Sequence, residues 1–158
     1  MMRMTGLLAG LALALGACSA APAESRAVPA TGSNAARHPV SGLAVVPLAV
    51  GRHALKVELA ASPADQERGL MFRTAMGPDE GMIFPMNPPR QAYFWMRNTL
   101  IPLDIIYIGP DRRVLNIVHG VPHDETPLPS AGPVSAVLEL NKGRAAQLGI
   151  KPGDRVVW

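Results

Sequence analysis

From Leu43 to Val50 and from Ala54 to Ala60, runs rich in Val, Leu and Ala flank Gly51-Arg52-His53, and in the second run Leu55, Val57 and Leu59 alternate with Lys56 and Glu58. Alternation with a period of two predicts a hairpin with one buried and one wetted face, and it places His53 in an exposed turn. Ser62-Pro63-Ala64-Asp65 then breaks the alternation and reads as a helix start. Ser62 can cap, Pro63 suits the first helical position, and Asp65 puts a carboxylate near the positive end of the helix. Gly69 stops that helix after about two turns and leaves Glu67 and Arg68 at its end.

Two apolar segments follow, Leu70 to Arg73 and Gly81 to Phe84, divided by the turn residues Gly77-Pro78-Asp79. A turn is expected at Pro88-Pro89. Beyond it, Gln91 to Asp104 (QAYFWMRNTLIPLD) gathers aromatic, cationic, amide, hydroxyl and carboxylate groups more densely than any other stretch. As a strand it would present Tyr93, Trp95 and Arg97 on one face and Phe94, Met96 and Asn98 on the other, before a bend from Thr99 to Pro102.

Leu103 to Ile108 and Val114 to His119 predict a second hairpin around Gly109-Pro110-Asp111-Arg112. Asp104 falls on the face of Ile106 and Ile108. A carboxylate in that position needs a cation or several hydrogen bonds, and Arg97, Arg73, Arg68 and Asn98 are the expected partners. The rest reads as a Pro-rich loop from Val121 to Pro133, a strand from Val134 to Leu140, a short helix from Asn141 to Leu148 capped by Asn141, and a last strand from Arg155 to Trp158. The implied fold class is mainly β (α+β): a small barrel-like or strongly curved, antiparallel-rich sheet with two short helices.

The chain of 158 residues carries a formal net charge of +3, but from Leu43 onward 12 Lys and Arg face 11 Asp and Glu, a net +1. A domain so near neutrality has no electrostatic footprint for nucleic acid. Residues 1–17 hold Arg3 and the apolar run Leu7 to Leu15, the pattern of an export signal too short to span a bilayer. Leu15-Gly16-Ala17-Cys18 resembles the bacterial lipobox. Cys18 is the only cysteine, so no internal disulfide can form, and lipidation there accounts for it. Residues 18–42, rich in Ala, Pro, Ser and Gly, are expected to be a flexible tether in which His38 is solvated. Ser19 after the cysteine resembles Gram-negative lipoproteins sent to the outer membrane. The expected location is therefore the periplasmic face of a membrane, with the anchor as the membrane partner and the folded domain over 43–158.

Several runs together resemble the DUF192 (UPF0127) family. They are Glu67 to Arg73, Gly81 to Phe84, Phe94 to Asp104, Val137 to Leu140 and Gly153-Asp154, so the resemblance covers the domain from about residue 44 to the end. It implies a compact, β-rich, exported bacterial domain and no particular activity.

Trp95, Arg97, Asn98, Thr99 and Asp104, with Arg68 and Arg73, form the expected ligand-binding set. An aromatic face beside guanidinium and amide groups suits a small polar or sugar-like ligand. The alternative for the same residues is a buried scaffold of ion pairs. A hydrolase or lyase using Asp104 as general acid or base is a second reading, with Glu67 or Glu139 as weakly placed companions. A third is Cu(I) held by Met71, Met76, Met82, Met86 and Met96, although most of these lie where methionine packs. His119, His123, Asp124 and Glu125 read as solvated loop residues rather than a metal site, and no cofactor is expected. The chain offers no Gly-x-Ser-x-Gly and no phosphate-binding glycine pattern, and Cys18 leaves no cysteine over for nucleophilic catalysis.

Overall fold

The computed structural model describes residues 36–158. The expected export signal, Cys18 and most of the expected tether lie outside the described residues. The chain forms β1 (Val45–Val50), β2 (His53–Leu59), α1 (Pro63–Arg68), β3 (Glu80–Phe94), β4 (Leu103–Ile108), β5 (Val114–Gly120), β6 (Leu128–Asn141), α2 (Arg144–Gln147) and β7 (Val156–Val157). The strands make one seven-stranded sheet in the order β5-β4-β6-β3-β2-β1-β7. Every pairing is antiparallel except β2 with β3. A parallel pair requires a crossover between its strands, and α1 lies in that connection.

The sheet curls into a half-barrel whose two ends approach each other. Val114 N–H donates to the Asp154 carbonyl (2.9 Å) and Val156 N–H to the Arg112 carbonyl (2.8 Å), linking the β5 end to the β7 end. Inside the curl lie Leu48, Val50, Leu55, Val57, Ile83, Ile106, Ile108, Leu138, Leu140 and Val156, closed at one end by Ala145 and Ile150. On the other face Leu103, Ile105, Tyr107, Val137, Met82 and Phe84 form a second core with Leu70, Met86 and Met96. Period two divides β4 and β6 cleanly between these faces. All of β4 and residues 136–140 of β6 are buried on both sides, which explains their near-continuous apolar runs.

Both predicted hairpins form, as does the first helix. In α1 the Ser62 hydroxyl accepts from Asp65 N–H (3.1 Å) while the Asp65 carboxylate accepts from Ser62 N–H (3.2 Å), a reciprocal capping box. Other expectations need correction. Pro88-Pro89 does not turn the chain. It sits within β3, where pairing to β6 lapses between Pro85 and Arg90, because proline has no N–H to give the ladder. The loop expected from Val121 to Pro133 ends early, since β6 begins at Leu128. The second helix starts at Arg144 behind Gly143, not at Asn141, whose amide donates instead to the Met76 and Gly77 carbonyls (3.2 and 3.0 Å).

His38 is not solvated. Its imidazole lies 3.7 Å from the Glu58 carboxylate and 3.4 Å from the Arg73 guanidinium. Glu58 is buried and pairs with Arg73 at 2.8 Å, while the Ser41 hydroxyl donates to the same carboxylate. The polar face of β2 is therefore covered at Glu58 by the segment ahead of β1.

Candidate functional site

The central stretch is half strand and half turn. β3 carries it to Phe94, with Tyr93 outward and Phe94 inward, edge-on to both Phe84 (5.2 Å between centroids) and Tyr107 (6.1 Å). Trp95 and Met96 continue the alternation, one 52% exposed and the other fully buried. There the chain turns. Thr99 N–H closes onto the Met96 carbonyl (3.0 Å), which leaves Arg97 and Asn98 exposed at the corner. Asn98 was expected on the strand face of Phe94 and Met96; it instead sits in the turn with a left-handed φ of 54°, which asparagine tolerates better than most residues. Its carbonyl accepts from Phe72 N–H (2.8 Å), fastening this turn to the one that follows α1.

From the other side comes α1. Gln66 donates to the Ala60 and Pro85 carbonyls (3.2 and 2.8 Å), fixing the helix across β3 so that Glu67 and Arg68 face Trp95. Gly69 ends the helix with a positive φ of 49°, and a Cβ there would meet the Phe84 ring at 3.5 Å.

Between α1, the end of β3 and the 95–99 turn lies a cavity of about 140 Å³. Arg68, Met71, Trp95, Arg97 and Thr99 line it, Phe84 and Phe94 form its apolar wall, and Glu139 reaches it from β6. A wider hollow of about 550 Å³ shares Glu67, Arg68, Met71, Trp95 and Arg97 and extends to Asn98 and Ala64. Of the seven residues expected to bind, Arg68, Trp95, Arg97 and Thr99 therefore meet at the cavity, and Asn98 borders the hollow beside it. Arg73 is spent on Glu58.

Asp104 lies on the opposite face of the sheet. It is fully buried, and its expected arginine partners do not reach it. One carboxylate oxygen meets His119 Nδ1 at 2.8 Å and the other accepts from Ala145 N–H at 2.9 Å. The cause is register: Asp104 sits directly across from His119 in the β4–β5 hairpin. Both oxygens are engaged within the interior, an arrangement suited to holding α2 and β5 in place. Met82, Met86 and Met96 are buried in the second core, and among the described residues no group of three His, Cys, Asp or Glu side chains could hold a metal.

Glu139 is the residue that sequence reasoning undervalued. It sits between Met82 of β3 and Ile105 of β4, on the interior strand β6, and is 5% exposed. Burial alone pushes its carboxyl up to about 8, with no hydrogen bond or neighbouring charge acting on it. The group is therefore uncharged at neutral pH and can donate a hydrogen bond. Tyr107 on the same face is pushed up as well, by burial first and by Glu139 second, while its hydroxyl donates to the Leu128 carbonyl. The signal in the sequence was a lone carboxyl inside Val137-Leu138-Glu139-Leu140. Its meaning depends on that strand being covered on both faces.

Residues 46–158 match the family DUF192, described as an uncharacterized ACR. A protein of unknown function from Novosphingobium aromaticivorans DSM 12444 is 61% identical, the match covering 80% of this chain and 94% of that one, with a TM-score of 0.77. A candidate transcription regulator from Sinorhizobium meliloti 1021 is 40% identical, covering 73% of this chain and 94% of that one, with a TM-score of 0.70. No match is found among curated proteins.

Proposed function

The chain belongs to the DUF192 family, and on that premise we propose that it is a lipid-anchored envelope protein whose domain binds a small polar, sugar-like ligand beside α1, as a binding or accessory module. One observation carries the reading. An exposed indole, two guanidinium groups and a hydroxyl converge on a cavity whose buried wall holds a carboxyl without a protein partner. Trp95 offers a flat apolar face to a ring, Arg68 and Arg97 offer forked donors, and Thr99 adds a hydroxyl. Neither arginine takes part in the ion pairs formed among the described residues, so both are available. Support for the anchor comes from Leu15-Gly16-Ala17-Cys18. The regulator description of the Sinorhizobium protein is not carried over, because a domain of net +1 gives nucleic-acid binding no electrostatic support.

The test is a thermal-shift screen of the full chain in detergent against monosaccharides and peptidoglycan fragments, beside the double variant Trp95→Ala, Arg97→Ala. Both side chains are exposed, so the variant should melt within about 3 °C of the parent without ligand. A ligand-dependent rise that vanishes in the variant supports the reading. A rise of the same size in both moves the site elsewhere. Cys18→Ser should in addition leave the protein in the soluble fraction; retention in the membrane fraction would refute the anchor.

A further inference from the structure

We infer that the ligand of this cavity is acidic: a sugar-like molecule bearing an oxyanion that accepts a hydrogen bond from the Glu139 carboxyl while Arg68 and Arg97 hold its charge. The inference rests on the binding reading above and narrows its chemistry. A buried carboxyl with no hydrogen bond from the protein is costly to leave unsatisfied, and its free side opens on the cavity. An acceptor on whatever enters can take the acid hydrogen that faces the cavity. A neutral hydroxyl could serve, but the cavity as a whole is rich in donors. Arg68 and Arg97 are outside the ion pairs of the described residues, against the single carboxylate of Glu67, while the Thr99 hydroxyl gives its hydrogen to the Arg97 carbonyl (3.3 Å). An oxyanion satisfies all of these donors at once, and an acid O–H to a carboxylate or phosphate oxygen is among the stronger hydrogen bonds.

Proton linkage follows. With Glu139 protonated, the cavity wall donates; once it ionises, the donor is lost and a buried negative charge opposes the ligand. Affinity for an anion should thus fall as the pH passes about 8. The other ionisable groups around Glu139 are Glu67 and Arg68 from α1, Tyr93 from β3, Tyr107 from β4 and Arg97 from the turn. Tyr107 is held protonated through this range. Replacing Glu139 by an amide of the same shape separates its contribution from all of theirs.

The experiment is calorimetric titration of the full chain in detergent with glucuronate and with glucose at pH 6, 7 and 9, because the glucuronate carboxylate stays ionised throughout. Glucuronate should bind more tightly than glucose at pH 6 and 7 and lose up to about tenfold in affinity by pH 9, about 1.4 kcal/mol. Glu139→Gln keeps a donor and should remove the pH dependence; Arg68→Ala with Arg97→Ala should bring glucuronate down to the level of glucose. Glucose 6-phosphate runs beside them, and the same loss by pH 9 with either anion supports the inference. Glucose binding as tightly as both anions overturns it and leaves the binding reading intact. A pH dependence that survives in Glu139→Gln also overturns it. If none of the three binds at any pH, this inference and the sugar-like part of the binding reading fall together.

Discussion

Replacing Glu139 by Gln should make the domain more stable, by an amount that depends on pH. In the unfolded chain the carboxyl ionises near 4.5, whereas in the folded domain burial holds it protonated to about 8. Below pH 4.5 both states are protonated and no penalty exists. Between the two values the unfolded chain releases the proton and the folded domain does not, so each pH unit favours unfolding by about 1.4 kcal/mol. The folded state therefore forfeits about 3 kcal/mol at pH 7 and about 5 kcal/mol above pH 8. Glutamine keeps the shape and the opening onto the cavity and does not titrate. The variant should match the parent at pH 4.5, exceed it by about 3 kcal/mol at pH 7, and melt roughly 10 °C higher there. Urea unfolding from pH 4.5 to 8.5 measures the difference directly. A constant offset across that range, or a variant less stable at pH 8 than at pH 5 by as much as the parent, would refute the claim that Glu139 is buried and uncharged.

Three further substitutions, two of them paired with a control variant, test the frame around the site. Arg73→Ala strands the Glu58 carboxylate against His38 and Ser41, so urea unfolding should show a loss of about 3–5 kcal/mol, and a loss below about 1 kcal/mol would mean the pair is not buried as described. Asp104→Ala removes the acceptor for Ala145 N–H and the partner of His119 and should cost about 2–4 kcal/mol, whereas Asp104→Asn, which can still accept from Ala145, should recover part of that; equal losses in thermal melts would refute the capping role. Gly81→Ala would bring a Cβ to 2.4 Å from the Glu139 carbonyl and 2.7 Å from Leu140, so it should cost about 3 kcal/mol or prevent folding, while Gly132→Ala meets only Leu115 at 3.7 Å and should melt like the parent.

What could be read from the sequence tracked how local its cause was. The hairpins β1–β2 and β4–β5 and the capped helix α1 follow from alternation, turn residues and a capping box, all within a few positions. The long strands β3 and β6 did not, because prolines stand inside them and their pairing across distant sequence tolerates the break between Pro85 and Arg90. The partner of Asp104 was nearly legible: with Ile108 opposite Val114, an unbroken β4–β5 ladder would set it against Val118, one residue short of His119. A register shift between Tyr107 and Ile108 moves that alignment by one residue, and a slip of one exchanges faces. The binding residues Arg68, Trp95, Arg97 and Thr99 could be chosen by chemistry, but their convergence depends on α1 docking through Gln66, which no periodicity encodes.

Two of the buried carboxyls, Asp104 and Glu139, show why residue type alone could not rank the candidates. Ile105 stands opposite Glu139 and Asp104 opposite Leu140, so the two acids sit one register step apart and point to opposite faces. Inside the curl the protein itself satisfies Asp104, through an imidazole and a backbone amide. On the outer face nothing in the protein satisfies Glu139, and burial forces it to keep its proton. A carboxyl whose partners come from the fold holds the fold. One left without them, beside two available arginines and an exposed indole, is positioned to meet something from outside. The criterion that separates scaffold from site in this domain is therefore which side supplies the hydrogen-bond partner, and the pH dependence of Glu139→Gln measures it.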